Sequence, residues 1–161
     1  MVEIAPAPPA RRYVLWADAE AAGPIGAAFG VPLPQEPCRA REAAGRAALR
    51  LGPGEWLLLA PDGDSFTPPP APAHSLVDVS DGTTALLLRG PGAARALSAG
   101  CPLDLHPRAF PPGMATRTVL SRTGIVLWRR TADEWRVEVA RSCNEYAHHF
   151  LAEAARFLPA F

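Results

Sequence analysis

From Trp135 to Val139 the chain alternates strictly, with Trp135, Val137 and Val139 apolar and Arg136 and Glu138 charged. That is the period of a strand with one face buried and one face wet. Two strand-like runs precede it, Thr116–Leu120 and Ile125–Arg130, separated by the polar corners Ser121-Arg122-Thr123-Gly124 and Thr131-Ala132-Asp133-Glu134. Three strands joined by short turns predict an antiparallel meander. Earlier, Ala47–Leu51 and Trp56–Leu59 flank Gly52-Pro53-Gly54-Glu55. Proline at the second and glycine at the third position fit a type II turn, so this is a hairpin. Its second flank is apolar throughout, which predicts burial on both faces. Tyr13–Trp16, Leu76–Val79 and Thr84–Arg89 complete the strand-like runs.

A helical period governs the C-terminal segment. Ala147, Phe150, Leu151, Ala154, Ala155 and Leu158 fall on one face, and Glu145, His148, His149, Glu153 and Arg156 on the other. Ser142-Cys143-Asn144-Glu145 in front of it reads as a capping box. A short helix is expected from Ala21 to Gly30, and another opened by Gly90-Pro91-Gly92, with proline at the first helical position, and closed by Gly100.

The pattern predicts an α+β fold, an antiparallel or mixed sheet carrying few helices. Residues 1–12 read as a loose N-terminal arm and residues 13–161 as a single domain, with the proline-rich loop 61–74 between its halves. Gly54-Glu55-Trp56 and Asp133-Glu134-Trp135 each begin a strand. Each half reads as strand, helix, strand, strand, which points to a duplicated unit.

Composition narrows the partners. All 16 positive charges are arginine, 16 acids balance them, and no lysine is present. No concentrated basic footprint exists, so nucleic acid is not an expected partner. No apolar run approaches bilayer length, and the N-terminus lacks the apolar core of a signal peptide. Three widely spaced cysteines, 38, 101 and 143, form no pairing framework and point to a reducing compartment. A cytoplasmic setting is expected.

The candidate chemistry is concentrated in GCPLDLHPRAFPPG, Gly100–Gly113, which places Cys101, Asp104 and His106 within six residues. Cys101 follows a helix C-terminus, where the dipole raises a thiol pKa rather than lowering it. In extended chain Asp104 and His106 point one way and Cys101 the other. A structural corner, with Asp104 and His106 satisfying backbone groups, is therefore favoured over a nucleophile or metal site. His148 and His149 are about 100° apart on a helix and cannot share an ion. Gly90-Pro91-Gly92 has Arg95 where a dinucleotide loop needs its third glycine, and Pro91 has no N–H to offer a phosphate. Asp78 and Asp81 bracket Ser80 as a strand end and turn.

Three blocks carry a resemblance: LGPGEWLLL (51–59), the run from VDVSD through GPGA, GCPLDLHP and the Phe110-x-x-Gly113 that follows (within 75–113), and RSCNEYAHHFLAEA (141–154). Together, from about residue 45 onward, they resemble the gamma subunit family of heterotetrameric sarcosine oxidase. Gly54 departs from the acidic residue usual in that family's turn, and family members often have a longer N-terminal portion. The resemblance implies a shortened relative of the N-terminal folate-binding domain of the glycine-cleavage T-protein, with no catalysis by this chain alone. It implies alpha, beta and delta subunits as partners, in a bacterial complex that demethylates sarcosine to glycine and passes the one-carbon unit to tetrahydrofolate. It places FAD, FMN, NAD, tetrahydrofolate and zinc on those other subunits, and no catalytic, cofactor or metal residue here. Structural or interface candidates are Asp78, Asp81, Cys101, Asp104, His106, Gly113, Arg141 and Tyr146. Trp16, Trp56 and Trp128 are interface or core. The alternative from the same architecture is a stand-alone folate-binding, one-carbon-transfer domain.

Overall fold

The computed structural model describes residues 1–157. Leu158 of the expected helix face lies outside them. The strands and helices run in the order Glu3–Pro6 (β1), Ala10–Ala17 (β2), Ala19–Phe29 (α1), Ala40–Ala43 (β3), Arg46–Gly52 (β4), Glu55–Pro61 (β5), His74–Asp78 (β6), Thr83–Arg89 (β7), Ala93–Ser98 (α2), Ala115–Leu120 (β8), Thr123–Arg129 (β9), Glu134–Ala140 (β10) and Asn144–Arg156 (α3). They form two five-stranded sheets in two compact units rather than one sheet in one domain. Pro9–Ser80 make one unit; Met1–Pro8 and Asp81 onward make the other.

In the Pro9–Ser80 unit the strand order is β3-β4-β5-β2-β6, with every pairing antiparallel. Asp18 starts α1 by accepting from the Ala21 amide at 3.0 Å. Gly30 ends it at φ +81, in the left-handed conformation that suits glycine. Between these caps Ala21, Ala22, Ile25 and Phe29 are buried against Tyr13, Leu15, Trp56 and Leu58. The expected hairpin is β4–β5, with Gly54 at φ +66. A Cβ there would stand 2.7 Å from the Ala17 carbonyl oxygen, so both conformation and space call for glycine. Residues Glu55–Ala60 are all buried. The 61–74 loop does not divide the chain, because β6 after it returns to pair with β2 in the same sheet. The division falls instead at residues 80 and 81.

In the other unit the order is β1-β7-β10-β9-β8, again antiparallel throughout, and β8-β9-β10 is the expected meander. Its core joins Leu86, Leu88, Leu97, Phe110, Leu120, Leu127, Trp135 and Val137 to Ala147 and Leu151 of α3. The first twelve residues are not a loose arm. Glu3–Pro6 pair with Arg89–Leu86, Val2 and Ile4 pack on the core, and Arg11 and Arg12 belong to β2. Pro6 is the last residue of β1, an edge strand, and Pro8 and Pro9 follow it, so no proline interrupts a central strand.

Two caps differ from expectation. The α2 N-cap is Gly92, so Pro91 lies in the preceding turn and not inside the helix. Ser142 does not cap α3: a 3-10 turn at Arg141–Cys143 leads directly into the helix, Cys143 takes the cap position, and no side chain caps it. A residue already in a helical turn cannot adopt the extended conformation that a capping serine needs.

The duplication is visible in the topology. In each unit the strand before the helix (β2 or β7) pairs with the last strand of the hairpin run (β5 or β10), which pairs with β4 or β9, then β3 or β8. The fifth place is filled differently, by β6 from the C-terminal side in one unit and by β1 from the N-terminal side in the other.

Candidate functional site

The Gly100–Gly113 corner connects α2 to β8. Cys101 is buried with its amide on the Leu97 carbonyl (2.9 Å) and its Sγ 3.8 Å from Thr118 Oγ1. Asp104 and His106 are exposed. Asp104 Oδ1 accepts from the His106 amide at 2.9 Å, and His106 Nδ1 accepts from the Arg108 amide at 3.2 Å. The His106 carbonyl then accepts from the Ala109 and Phe110 amides at 2.9 and 2.8 Å. The Asp104 and His106 groups therefore close local turns. The thiol faces Thr118 while the imidazole spends its free nitrogen on backbone, so nucleophile and base are not engaged with one another.

Arg129 on β9 holds the far end of the corner. Its Nη1 donates to the Phe110 carbonyl (2.8 Å), Nη2 to Ala132 (2.7 Å) and Nε to Thr131 (3.3 Å). Its own carbonyl accepts from the Gly113 amide at 2.8 Å. Gly113 sits at φ +84, the turn conformation that glycine supplies at least cost. Arg129 is 5% exposed, and its guanidinium lies 4.8 Å from the Trp135 ring centroid.

The same device recurs in the other unit, where Arg50 lies 5.4 Å from the ring of Trp56 and donates to the Gln35 and Gly52 carbonyls. The Trp56 indole N–H donates to the Pro34 carbonyl at 2.9 Å. Both arginines are cross-strand partners of their tryptophans. Sequence reasoning missed them, although RLGPGEW (50–56) and RRTADEW (129–135) share the spacing.

The remaining candidates divide between the units. Asp78 pairs with Arg11 and accepts from the Ser80 amide at 2.9 Å. Hydrogen bonds from the Ser80 hydroxyl and amide, followed by the Arg11 charge, hold its carboxyl below the usual range. Arg141 reaches the Asp81 carbonyl through Nε at 2.8 Å. The Tyr146 hydroxyl donates to Ser121 Oγ at 2.8 Å, and its ring is 6.3 Å from that of Phe150. Trp56 and Trp128 are buried, whereas Trp16 is 51% exposed.

Two apolar grooves are open on the surface. One, of about 680 Å³, runs along α1 past Ala22, Gly26, Pro32 and Leu33. The other, of about 390 Å³, lies beside α3 at Ala99, Tyr146, Phe150, Ala154 and Phe157. Among the described residues no group of three His, Cys, Asp or Glu is placed to hold a metal, and no helix is long and apolar enough to cross a membrane.

Comparison with known proteins fixes the lineage. The model of the sarcosine oxidase, gamma subunit family matches residues 16–156. Sarcosine oxidase subunit gamma from Arthrobacter sp. is 36% identical over 136 residues, which are 81% of this chain and 67% of the relative. The protein of the same description from Corynebacterium sp. (strain P-1) is 35% identical over the same shares. In three dimensions the chain is similar to one in the heterotetrameric sarcosine oxidase from Corynebacterium sp. U-96 in complex with pyrrole 2-carboxylate. The TM-score is 0.85 at 30% identity, over 99% of this chain and 87% of that one. The glycine cleavage system aminomethyltransferase T from Bartonella henselae shares the fold alone, with a TM-score of 0.65 at 15% identity over 96% of this chain and 49% of that one. The turns, the corner and these matches agree, and the chain belongs to the sarcosine oxidase gamma subunit family.

Proposed function

We propose that the chain is the gamma subunit of a heterotetrameric sarcosine oxidase and that it contributes shape and surface to the assembly, not catalytic groups. The observation that carries the reading is the likeness over 99% of the chain to a component of a heterotetrameric sarcosine oxidase. Asp104 Oδ1 and His106 Nδ1 of the Gly100–Gly113 corner support it, because each accepts from a backbone amide. In this reading the alpha, beta and delta subunits are the partners. FAD, FMN, NAD, tetrahydrofolate and zinc are held by those subunits, and the setting is the bacterial cytoplasm. The reaction served is the oxidative demethylation of sarcosine to glycine, with the one-carbon unit passed to tetrahydrofolate.

Co-expression with the alpha, beta and delta chains, followed by affinity capture on an alpha-chain tag, tests the proposal. The expected result is stoichiometric recovery of this chain in an active, flavin-containing complex. Recovery of a complete active complex without it would overturn the reading. The stand-alone folate-binding alternative draws on the aminomethyltransferase likeness, which is one of fold only. Calorimetric titration of the isolated chain with tetrahydrofolate is expected to give no heat of binding.

A further inference from the structure

The unit built from Asp81 onward borrows one strand from the opposite end of the sequence. Its sheet is closed by β1, which lies before the whole Pro9–Ser80 unit in the chain. Without β1, the edge of β7 from Leu86 to Arg89 would lack its partner ladder, and an open apolar strand edge invites another strand.

The place for β1 is built in advance. Glu3, Ile4, Ala5 and Pro6 stand opposite Arg89, Leu88, Leu87 and Leu86, and the Ala7 amide donates to the Ala85 carbonyl at 2.9 Å. The Gly92 amide donates to the Met1 carbonyl at 3.3 Å. Gly90, at φ +109, leaves room for that carbonyl: a Cβ on Gly90 would come within 2.7 Å of the Met1 oxygen. Val2 and Ile4 dock on the core. Between the last bond of this ladder, at Ala7, and the start of β2, at Ala10, stand only Pro8 and Pro9. Two consecutive prolines hold the connection extended and stiff, so it resists folding back. An arm of identical sequence on a stiff, short hinge is the arrangement in which exchange between copies costs little, because the same contacts form in either chain.

We propose that the β7 edge is a strand-acceptor site that is filled by β1 of its own chain or by β1 of a second copy, with Ala7–Pro9 as the hinge. The isolated chain then exists as a closed monomer and as a reciprocal strand-exchanged dimer, which interconvert only when β1 is released. The inference does not depend on the oxidase reading, since it concerns two copies of this chain alone.

Glu3 and Arg89 are exposed cross-strand partners, and residues so paired have Cα atoms within disulfide reach. The full chain carrying E3C and R89C is refolded at low and at high micromolar concentration, oxidised, and run on a non-reducing gel beside E3C alone, which controls for the three native cysteines. The expected result is an intramolecular crosslink at low concentration and a covalent dimer whose share rises several-fold at high concentration. Adding P8G and P9G to the pair is expected to lower the dimer share several-fold by letting the arm fold back. Crosslinked monomer alone at every concentration, or a dimer share indifferent to the hinge, would overturn the proposal. Native mass spectrometry of mixed light and heavy wild-type chains needs no cysteine. Mixed dimers that appear only after joint refolding support strand exchange, and their absence after refolding at high concentration rejects it.

Discussion

Trp135 stands directly across from Arg129 on the neighbouring strand, with the guanidinium 4.8 Å from its ring centroid; Trp56 repeats this relation to Arg50 at 5.4 Å. In each unit the arginine pins the connection that leads from the helix towards the next strand, through the Phe110 carbonyl in one and the Gln35 carbonyl in the other. The two are not equal in weight. Arg129 is buried and makes three carbonyl bonds, whereas Arg50 is only half-buried. Arg129→Met keeps most of the apolar stem and removes the donors, leaving carbonyls without partners. It is expected to cost about 2–4 kcal/mol, and Arg50→Met at least about 1 kcal/mol less. Urea unfolding midpoints of the two variants measure the difference, and equal losses would contradict the ranking.

Close packing of α2 against α3 depends on Gly100. A Cβ there would lie 2.7 Å from two ring atoms of Phe150 and 3.0 Å from the Ser121 amide nitrogen. Gly100→Ala is expected to destabilise by about 1–3 kcal/mol through overpacking. Phe150→Leu in the same chain should recover part of that loss by making room, while the Ser121 contact remains. Thermal melts of the two single variants and the double variant form the cycle, and strict additivity would show that Phe150 is not what the new methyl meets.

Much of this architecture was legible from period and turn chemistry. The β8-β9-β10 meander follows from alternation, and the β4–β5 hairpin from a proline and glycine placed where a type II turn needs them. What was not legible depends on distant parts of the chain. Nothing local in VEIAPAP shows that Leu86–Arg89 will pair with it across more than eighty residues, and its prolines argue locally for a loose arm. The 61–74 loop fails as a divider for the same reason, since only tertiary pairing returns β6 to β2. The Ser142–Glu145 box has the right residues, but a 3-10 turn claims them first. Of the corner, the turn-forming parts of Asp104 and His106 could be argued from residue types. Its anchor, Arg129, comes from another strand and shows only in the repeated arginine-to-tryptophan spacing.

Acid stability has a defined sign. Asp78 is held below its ordinary range by hydrogen bonds from Ser80 and by Arg11. Burial pushes the Glu134 carboxyl up, but the Arg89 hydrogen bond and the charges of Arg130 and Arg89 outweigh it and leave it lowered. A carboxyl whose folded pKa lies below its unfolded value contributes fully above the unfolded value, and that contribution is lost as pH falls through the folded one. The loss therefore begins near the ordinary carboxylate range, at about pH 4.5, and deepens below it. Glu134→Gln should lower stability at pH 7 by at most about 1 kcal/mol, because Arg89 is half exposed and solvent screens the pair. The same variant should flatten the decline below about pH 4.5. Urea midpoints taken from pH 7 to pH 3 test both statements, and a Glu134→Gln curve parallel to the parent would refute the assignment.

The corner that concentrates thiol, carboxylate and imidazole is expected to behave as a set of turns. Asp104→Ala frees the His106 amide and His106→Ala frees the Arg108 amide, and both sites are open to water that can replace the lost acceptor. Each change should cost about 0.5–1 kcal/mol, at the low end for a hydrogen bond. Asp104→Asn keeps a side-chain oxygen and should cost less. Cys101→Ala removes a buried sulfur packed in the core and 3.8 Å from Thr118, so it is expected to cost more than either turn residue. None of these changes should alter kcat of the assembled oxidase once subunit stoichiometry is matched, because Asp104 Oδ1 and His106 Nδ1 each accept from a backbone amide and the Cys101 thiol faces Thr118. Steady-state turnover of purified complexes carrying His106→Ala or Cys101→Ala decides the point. A complex of full stoichiometry and flavin content that lost turnover with either variant would make the corner chemical instead of structural.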